Sequence, residues 1–298
     1  MHDAVTIDSQ SLLFHEVPNL HAVAGPSVPG DYYSRGWTVI RNVGNAQEAI
    51  RRSSEFIATL DPTQSWISKL VGSRIGLAKA DHIPVCTDVV ESSFQILHFD
   101  MGLPIVSPFD QLLITHVAIY LPHDTVHDVR ASTRLMQLDG LLAFGLEQYS
   151  ADELEQNLVD YASSFGDGWG ATNTYRLACF SRFVEGLFSG DTLANDVDKT
   201  VGQWFRSDER LDPDEARREE RAFLAAYGVD LDRHETRVRL DPGDLLILDN
   251  TRVVHGRQGT RRPREILNLM YGVPAVTPAE VALVRAHVVN QLTAVPVD

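Results

Sequence analysis

The chain has 298 residues, 44% of them hydrophobic and 22% charged, the make-up of a soluble globular protein with room for a sizeable core. A formal net charge of −15 argues against a nucleic-acid binder, which carries a basic face. The apolar run 112–121 contains Thr115 and His116 and is too short to cross a bilayer; the first residues lack the basic and apolar regions of a secretory signal; and two cysteines, Cys86 and Cys179, make neither a disulfide framework nor a thiolate zinc site. The expectation is a cytoplasmic enzyme acting on a small molecule, with no nucleic-acid or membrane partner.

One domain over 1–298 is expected. Residues 1–35 read as irregular, because Gly25, Pro26, Pro29 and Gly30 interrupt any regular element. Residues 36–43, rich in β-branched and aromatic side chains, predict a strand, and 46–60 predict a helix from Ala49, Ile50, Phe56, Ile57 and Leu60. Strands are predicted over 94–100 and over 112–121. The second is nearly continuous in apolar residues, hence buried on both faces, and Pro122 ends it. Further strand candidates lie at 135–144 and 174–183.

A helical insert is expected over about 145–230. Ser150 followed by Glu153 is a capping box, and Asp212, Pro213 and Glu215 open a second helix that Gly228 closes. The charged residues of 212–227 are assigned to a solvated face with i,i+4 pairs. A dense strand block follows: 236–240, a turn at Asp241-Pro-Gly-Asp244, then 245–249, 253–257 and 264–271. A last helix runs from 277, with Glu280 three residues on, to about 292. The fold class is a mostly β core with flanking helices, a barrel or jelly roll.

His98 and Asp100 are two apart on a predicted strand, so both face one side while Phe99 faces the other. His255 is the best third partner, reached through the apolar strand 245–248 and Asp249-Asn-Thr-Arg252. Two histidines and one carboxylate are the facial triad of non-haem iron, whereas zinc is more often held tetrahedrally. His116 is read as an ordinary hydrogen-bonded core or surface histidine and not as a ligand. His123 and His127 are spaced i,i+4, but Pro122 and the Asp/Thr-rich context make their segment a loop, not a metal-binding helix face.

His98-Phe-Asp100, then Pro242-Gly-Asp-Leu-Leu-Ile-Leu-Asp-Asn-Thr-Arg-Val-Val-His-Gly-Arg257, then an arginine opening the next strand, resembles the iron(II)/2-oxoglutarate-dependent oxygenases, in particular their taurine dioxygenase and clavaminate synthase-like branch. The resemblance implies a double-stranded β-helix (jelly roll, cupin-like), with Fe(II) held by His98, Asp100 and His255. It implies 2-oxoglutarate as cosubstrate, chelating through its 2-oxo group and C1 carboxylate, and O2 as oxidant. Arg264 would meet the C5 carboxylate, since a guanidinium fork matches a carboxylate. Thr125 or Thr133 would touch the cosubstrate, and Arg257 would reach either the iron-proximal carboxylate or the substrate. The sequence departs from the branch at Asn268, where a second arginine often stands. Arg176 and Arg182 are further candidates for a substrate carboxylate.

The activity implied is hydroxylation of a small polar metabolite such as a free amino acid or derivative, with 2-oxoglutarate converted to succinate and carbon dioxide. Desaturation, epoxidation and ring formation would use the same residues. Halogenation is disfavoured by Asp100, which halogenating relatives replace with Gly or Ala. Outside this superfamily stand a non-catalytic jelly-roll binding module and a zinc hydrolase, the latter without its His-Glu-x-x-His signature.

Overall fold

The computed structural model describes residues 15–16, 30–84, 95–98, 112–123, 132–139, 213–226, 229–258, 265–274 and 277–293. The strand expected at 174–183 and the helix start at Ser150 lie outside these, as do Cys86, Cys179 and His127. Among the described residues ten strands form two antiparallel sheets. In chain order they are β1 (His15–Glu16), β2 (Trp37–Ile40), β3 (Gly76–Pro84), β4 (Gln95–His98), β5 (Leu112–Tyr120), β6 (Thr133–Gln137), β7 (Glu235–Val238), β8 (Leu245–Asp249), β9 (Val253–Arg257) and β10 (Glu265–Pro274). The helices are α1 (Gly30–Arg35), α2 (Ala46–Ala58), α3 (Trp66–Val71), α4 (Pro213–Ala226), α5 (Leu231–His234) and α6 (Pro278–Thr293). None of the described helices is long and apolar enough to cross a membrane.

One sheet has the order β1-β3-β10-β5-β8-β2 and the other β4-β9-β6-β7. The chain alternates between them from β3 to β6 and again from β7 to β10. The two runs pair in reverse: β3 with β10, β4 with β9, β5 with β8 and β6 with β7. An apolar layer lies between the sheets, built from Val117 and Ile119 of β5, Leu246 and Leu248 of β8, Ile266 and Met270 of β10, Leu135 of β6, Val238 of β7 and Val253 of β9. The opposite faces of β5, β8 and β10 pack Leu113, Ala118, Ile247, Leu269 and Tyr271 against Tyr32, Phe56, Ile57 and Ile67 of the helices. Strand β5 lies inside its sheet, which is why 113–121 are all buried.

The helix starts follow capping chemistry. Asn45 accepts the Glu48 N–H at 2.9 Å to open α2. Before α6, the Thr277 N–H donates to Glu280 Oε2 (2.9 Å) while the Glu280 N–H donates to Thr277 Oγ1 (3.3 Å), a reciprocal capping box.

Several elements depart from the sequence expectation. The segment 1–35 holds β1, paired to β3, and α1, whose Tyr32 is buried edge-on to Phe56. Strand β2 stops at Ile40, short of Asn42 at φ 58. Strand β6 begins at Thr133 and ends at Gln137, because the Leu138 N–H turns to the Arg252 carbonyl (2.9 Å) and Asp139 pairs with the Arg252 guanidinium (2.7 Å). Strand β7 ends at Val238, and β10 continues to Pro274. Neither β3 nor α3 was expected. The first is a ladder partner of β10 with little alternation of its own, and the second is six residues long, too short to show a period.

The turn into β8 is tight. Gly243 sits at φ 89, its N–H donates to the Leu121 carbonyl (2.7 Å), and its carbonyl accepts the Val43 N–H (2.7 Å). A Cβ here would stand 2.3 Å from Cε1 of the His123 ring, whose Nε2 lies 2.9 Å from the Val43 carbonyl oxygen. Nearby Gly44 has open space around it and ordinary φ. Gly243→Ala is therefore expected to destabilise by about 1–3 kcal/mol through strained φ and overlap with the ring, whereas Gly44→Ala should change stability by no more than about 0.5 kcal/mol. Urea unfolding of both variants checks the contrast.

Candidate active site

The four-stranded sheet sets the register of the site. Strand β9 lies between β4 and β6, so His255 has His98 as its Cα partner on one side and Leu135 on the other. Two residues on, Arg257 is flanked by Gln95 and Thr133, and Thr133 in turn pairs with Val238. Register-paired positions in an antiparallel ladder lie on the same face. Leu135 and Val238 belong to the layer between the sheets, so these rows occupy the inward face. His255 is only 5% exposed, Thr133 is buried and Arg257 is half-buried. Across the layer, β10 presents Ile266 and Met270 inward with Asn268, also buried, at the alternate position between them.

The residues leading into β9 form the turn that carries the chain from one sheet to the other. Asp249 Oδ1 accepts the Thr251 N–H (2.8 Å) and the Thr251 hydroxyl (2.6 Å), and the Arg252 N–H donates to the Asp249 carbonyl (3.1 Å). The Asn250 N–H donates to the Thr115 carbonyl (2.9 Å) and its side-chain Nδ2 to the Ile114 carbonyl (3.2 Å). Asp249, Asn250, Thr251 and Arg252, noted in the sequence only for their wording, thus aim β9 so that His255 arrives opposite His98.

Of the candidate residues, the strand register brings together the positions of His98, His255, Thr133 and Arg257. Asp100, Thr125, Arg176, Arg182 and Arg264 lie outside the described residues; Arg264 directly precedes β10. Among the described residues no group of three or more His, Cys, Asp or Glu side chains converges as a metal site.

Behind the site lies a buried charge cluster that the sequence reading missed. The Arg134 guanidinium, 0% exposed, donates to Glu220 Oε2 at 2.5 Å and, from Nε and Nη2, to Glu235 Oε2 at 2.9 and 2.6 Å. Glu220, 1% exposed, also accepts the Leu97 N–H at 2.6 Å through Oε1. Glu235 receives Arg217 and Arg237 as well. The expected solvated face of 212–227 is corrected here: Glu220 of α4 points into the protein because Arg134 of β6 and a backbone N–H of β4 are there to receive it. Burial pushes the Glu220 carboxyl up, against the pull of Arg134 and the Leu97 N–H. At Glu235 the same upward effect of burial is outweighed by the hydrogen bonds from Arg134, Arg237 and Arg217, which hold the carboxyl at about 2. The only sequence signal was an arginine beside Thr133 and Leu135, just ahead of the strand expected from 135.

His116 lies on the outer face of β5, as a core histidine. Its Nδ1 meets Thr115 Oγ1 at 2.8 Å, and its ring stacks on Tyr32 with centroids 6.4 Å apart. A cleft of about 300 Å³ on that side, lined among others by Tyr32, Trp66, Asp249, Arg252 and His287, is separated from His255 by the sheet. Burial, partly offset by Asp249, lowers the His116 pKa to about 4. An unfolded histidine titrates near 6.5, so between about pH 6.5 and 4 unfolding takes up a proton at this site and stability falls as pH falls, by about 3 kcal/mol in total from this group. His116→Gln should release about one proton less per molecule on refolding near pH 5, which urea titrations across pH 4–7 will measure.

No protein-family model matches the sequence, and no curated protein matches it. Among solved structures the chain is similar to an asparagine oxygenase, at 14% identity over 84% of this chain and 80% of that one, TM-score 0.36. It is similar to a taurine dioxygenase from Burkholderia xenovorans, at 10% identity over 83% and 85%, TM-score 0.33. It is also similar to an iron, alpha-ketoglutarate-dependent oxygenase from an isonitrile synthetic pathway, at 11% identity over 82% and 79%, TM-score 0.36. At these identities and TM-scores nothing about the chemistry of this chain follows from the likeness, and the assignment rests on its own residues.

Proposed function

We propose that this chain is a non-haem Fe(II)/2-oxoglutarate-dependent oxygenase that hydroxylates a small polar metabolite, a free amino acid or a derivative of one. The observation that carries the proposal is the pairing of His98 with His255 across β4 and β9, on the face turned into the apolar layer. Asp100, two positions on in the sequence, is proposed as the carboxylate ligand, at the spacing by which a strand brings two side chains to one face. Two imidazoles and one carboxylate on a dry face suit iron(II), leaving positions for cosubstrate and oxygen. The reversed pairing of two alternating four-strand runs supports a double-stranded β-helix, in which this face is the inside.

When bound, iron supplies the oxidation in which 2-oxoglutarate becomes succinate and carbon dioxide and the substrate gains oxygen. The chain supplies geometry. His98, Asp100 and His255 hold one face of the metal. Arg264, which directly precedes β10 in the sequence, is proposed to receive the C5 carboxylate. Thr133, one row from His255, is proposed to touch the cosubstrate, and Arg257 beside it serves the proximal carboxylate or the substrate. The buried Asn268 amide stands where a second arginine would bring another charge. Arg176 and Arg182 are proposed for a substrate carboxylate. The apolar layer excludes water from the reacting centre.

Purified protein with iron and 2-oxoglutarate should form succinate, faster in the presence of one member of an amino-acid panel; a jelly-roll binding module would form none with any of them. His98→Ala or His255→Ala should abolish both iron retention and turnover, because two ligands no longer define a face. Iron content near wild type in either variant would remove that residue from the site. Arg264→Ala should weaken 2-oxoglutarate binding about thirty- to several-thousand-fold, the loss of about 2–5 kcal/mol when one partner of a buried charge pair goes. Arg264→Lys should recover only part, since a point charge does not reproduce the fork. Titration of 2-oxoglutarate followed by the iron charge-transfer band checks this, and equal affinities would move the anchor to Arg257.

A further inference from the structure

Strand β4 lies at an edge of the four-stranded sheet among the described strands. An edge strand has N–H groups with no ladder partner, and β4 is also bulged. From Gln95 to His98 it advances three residues while β9 advances two, from Arg257 to His255. The extra residue is accommodated just before His98, within the pair Ile96–Leu97. Without it the register would slip, and His98 would no longer stand opposite His255. The Leu97 N–H, part of this irregular stretch, is received by Glu220 Oε1 at 2.6 Å. Glu220 is itself held by Arg134 at 2.5 Å, and Arg134 is the β6 neighbour of Leu135, the residue that pairs with His255 from the other side. One carboxylate therefore links the bulge of β4 to β6, across the strand that carries His255.

We propose that Glu220 is a positioning residue: its buried carboxylate, gripped by Arg134, fixes the β4 bulge and so the register that sets His98 opposite His255. The proposal rests on the reading of those histidines as metal ligands. General stabilisation does not explain the arrangement. A buried ion pair adds little net stability, because removing both charges from water offsets their attraction, and an apolar pair of similar volume would hold α4 to the sheet as well. An apolar pair would leave the Leu97 N–H buried without an acceptor. The remaining account is geometric, with Glu220 acting on the metal site through the backbone, as groups that orient ligands do.

Two mild substitutions separate the roles. Glu220→Gln loses the charge and the grip of Arg134, which Glu235 still neutralises, but keeps one acceptor oxygen for Leu97 when its NH2 is turned away from that N–H. Glu220→Asp keeps the charge but is one methylene short. If Glu220 positions the bulge, Gln outperforms Asp; if it serves only as the counter-ion of Arg134, Asp outperforms Gln. The measurements are Co(II) affinity with its visible absorption spectrum, and amide hydrogen exchange at Leu97 in the metal-free full chain. We expect Glu220→Asp to lose Co(II) affinity about 10- to 100-fold, with an altered spectrum and faster Leu97 exchange, while Glu220→Gln stays within a few-fold of wild type in all three. Asp equal to or better than Gln in affinity and exchange overturns the proposal. Should wild type itself bind no Co(II), the metal reading falls, and the Leu97 exchange order still decides whether Glu220 holds the bulge.

Discussion

The register of β9 between its two neighbours is the constraint on which the rest depends. Side chains on a strand alternate with period two, so a slip of one residue moves every group to the other face. In β9 the inward set is Val253, His255 and Arg257. A slip would send His255 out and bring Val254 and Gly256 in. The register is held from both ends. The hydrogen-bonded turn of Asp249, Asn250 and Thr251 sets where β9 begins, and the inter-sheet layer of Leu135, Val238 and Val253 penalises the flipped alternative by the transfer of buried apolar groups to the wrong side.

Apolar burial gives the sandwich cohesion but little directional information. Leu246 and Leu248 would pack against many surfaces. The polar groups buried within the apolar framework supply what packing leaves open. Asp244, buried at the start of β8, is paired with Arg41 and accepts the Asp241 N–H at 2.7 Å, which shapes that turn. Ser53, on the buried face of α2, meets the Tyr271 hydroxyl at 2.6 Å and so fixes how the helix lies on β10. Arg134 with Glu220 and Glu235 does the same for α4 on the four-stranded sheet. Each of these groups would cost about 1–3 kcal/mol if left buried without a partner, so each restricts the packing to arrangements that satisfy it.

The two faces of the six-stranded sheet have separate work. The inward face takes part in the layer that the proposed metal site shares. The outward face, with His116 and Tyr271, is roofed by α1, α2 and α3 and carries the cleft near Asp249 and Tyr32 of α1. Asp249 belongs to both sides of the account: its side chain shapes the turn into β9, and its charge acts on His116 and Tyr32 behind the sheet. That coupling follows from its place at the last residue of β8, where one sheet hands the chain to the other.

Much of this was legible in the residues. The buried strand 112–121, the helix 46–60, the cap of α6, the turn at 241–244 and the strands 245–249 and 253–257 follow from hydrophobic period, capping chemistry and turn residues, all of which act over a few positions and so are written locally. The pair His98 and His255 was named as a ligand set from the spacing of His98 and Asp100 and the wording around His255. The sequence by itself determined which side chains are candidates for the proposed chemistry. The tertiary structure alone decided that β4 lies against β9 with His98 opposite His255, because pairing between segments more than 150 residues apart leaves no local trace. It also decided that Glu220, in a helix whose charge pattern reads as solvated, is buried. Burial of a charge depends on the partner that meets it, and Arg134 lies 86 residues away along the chain.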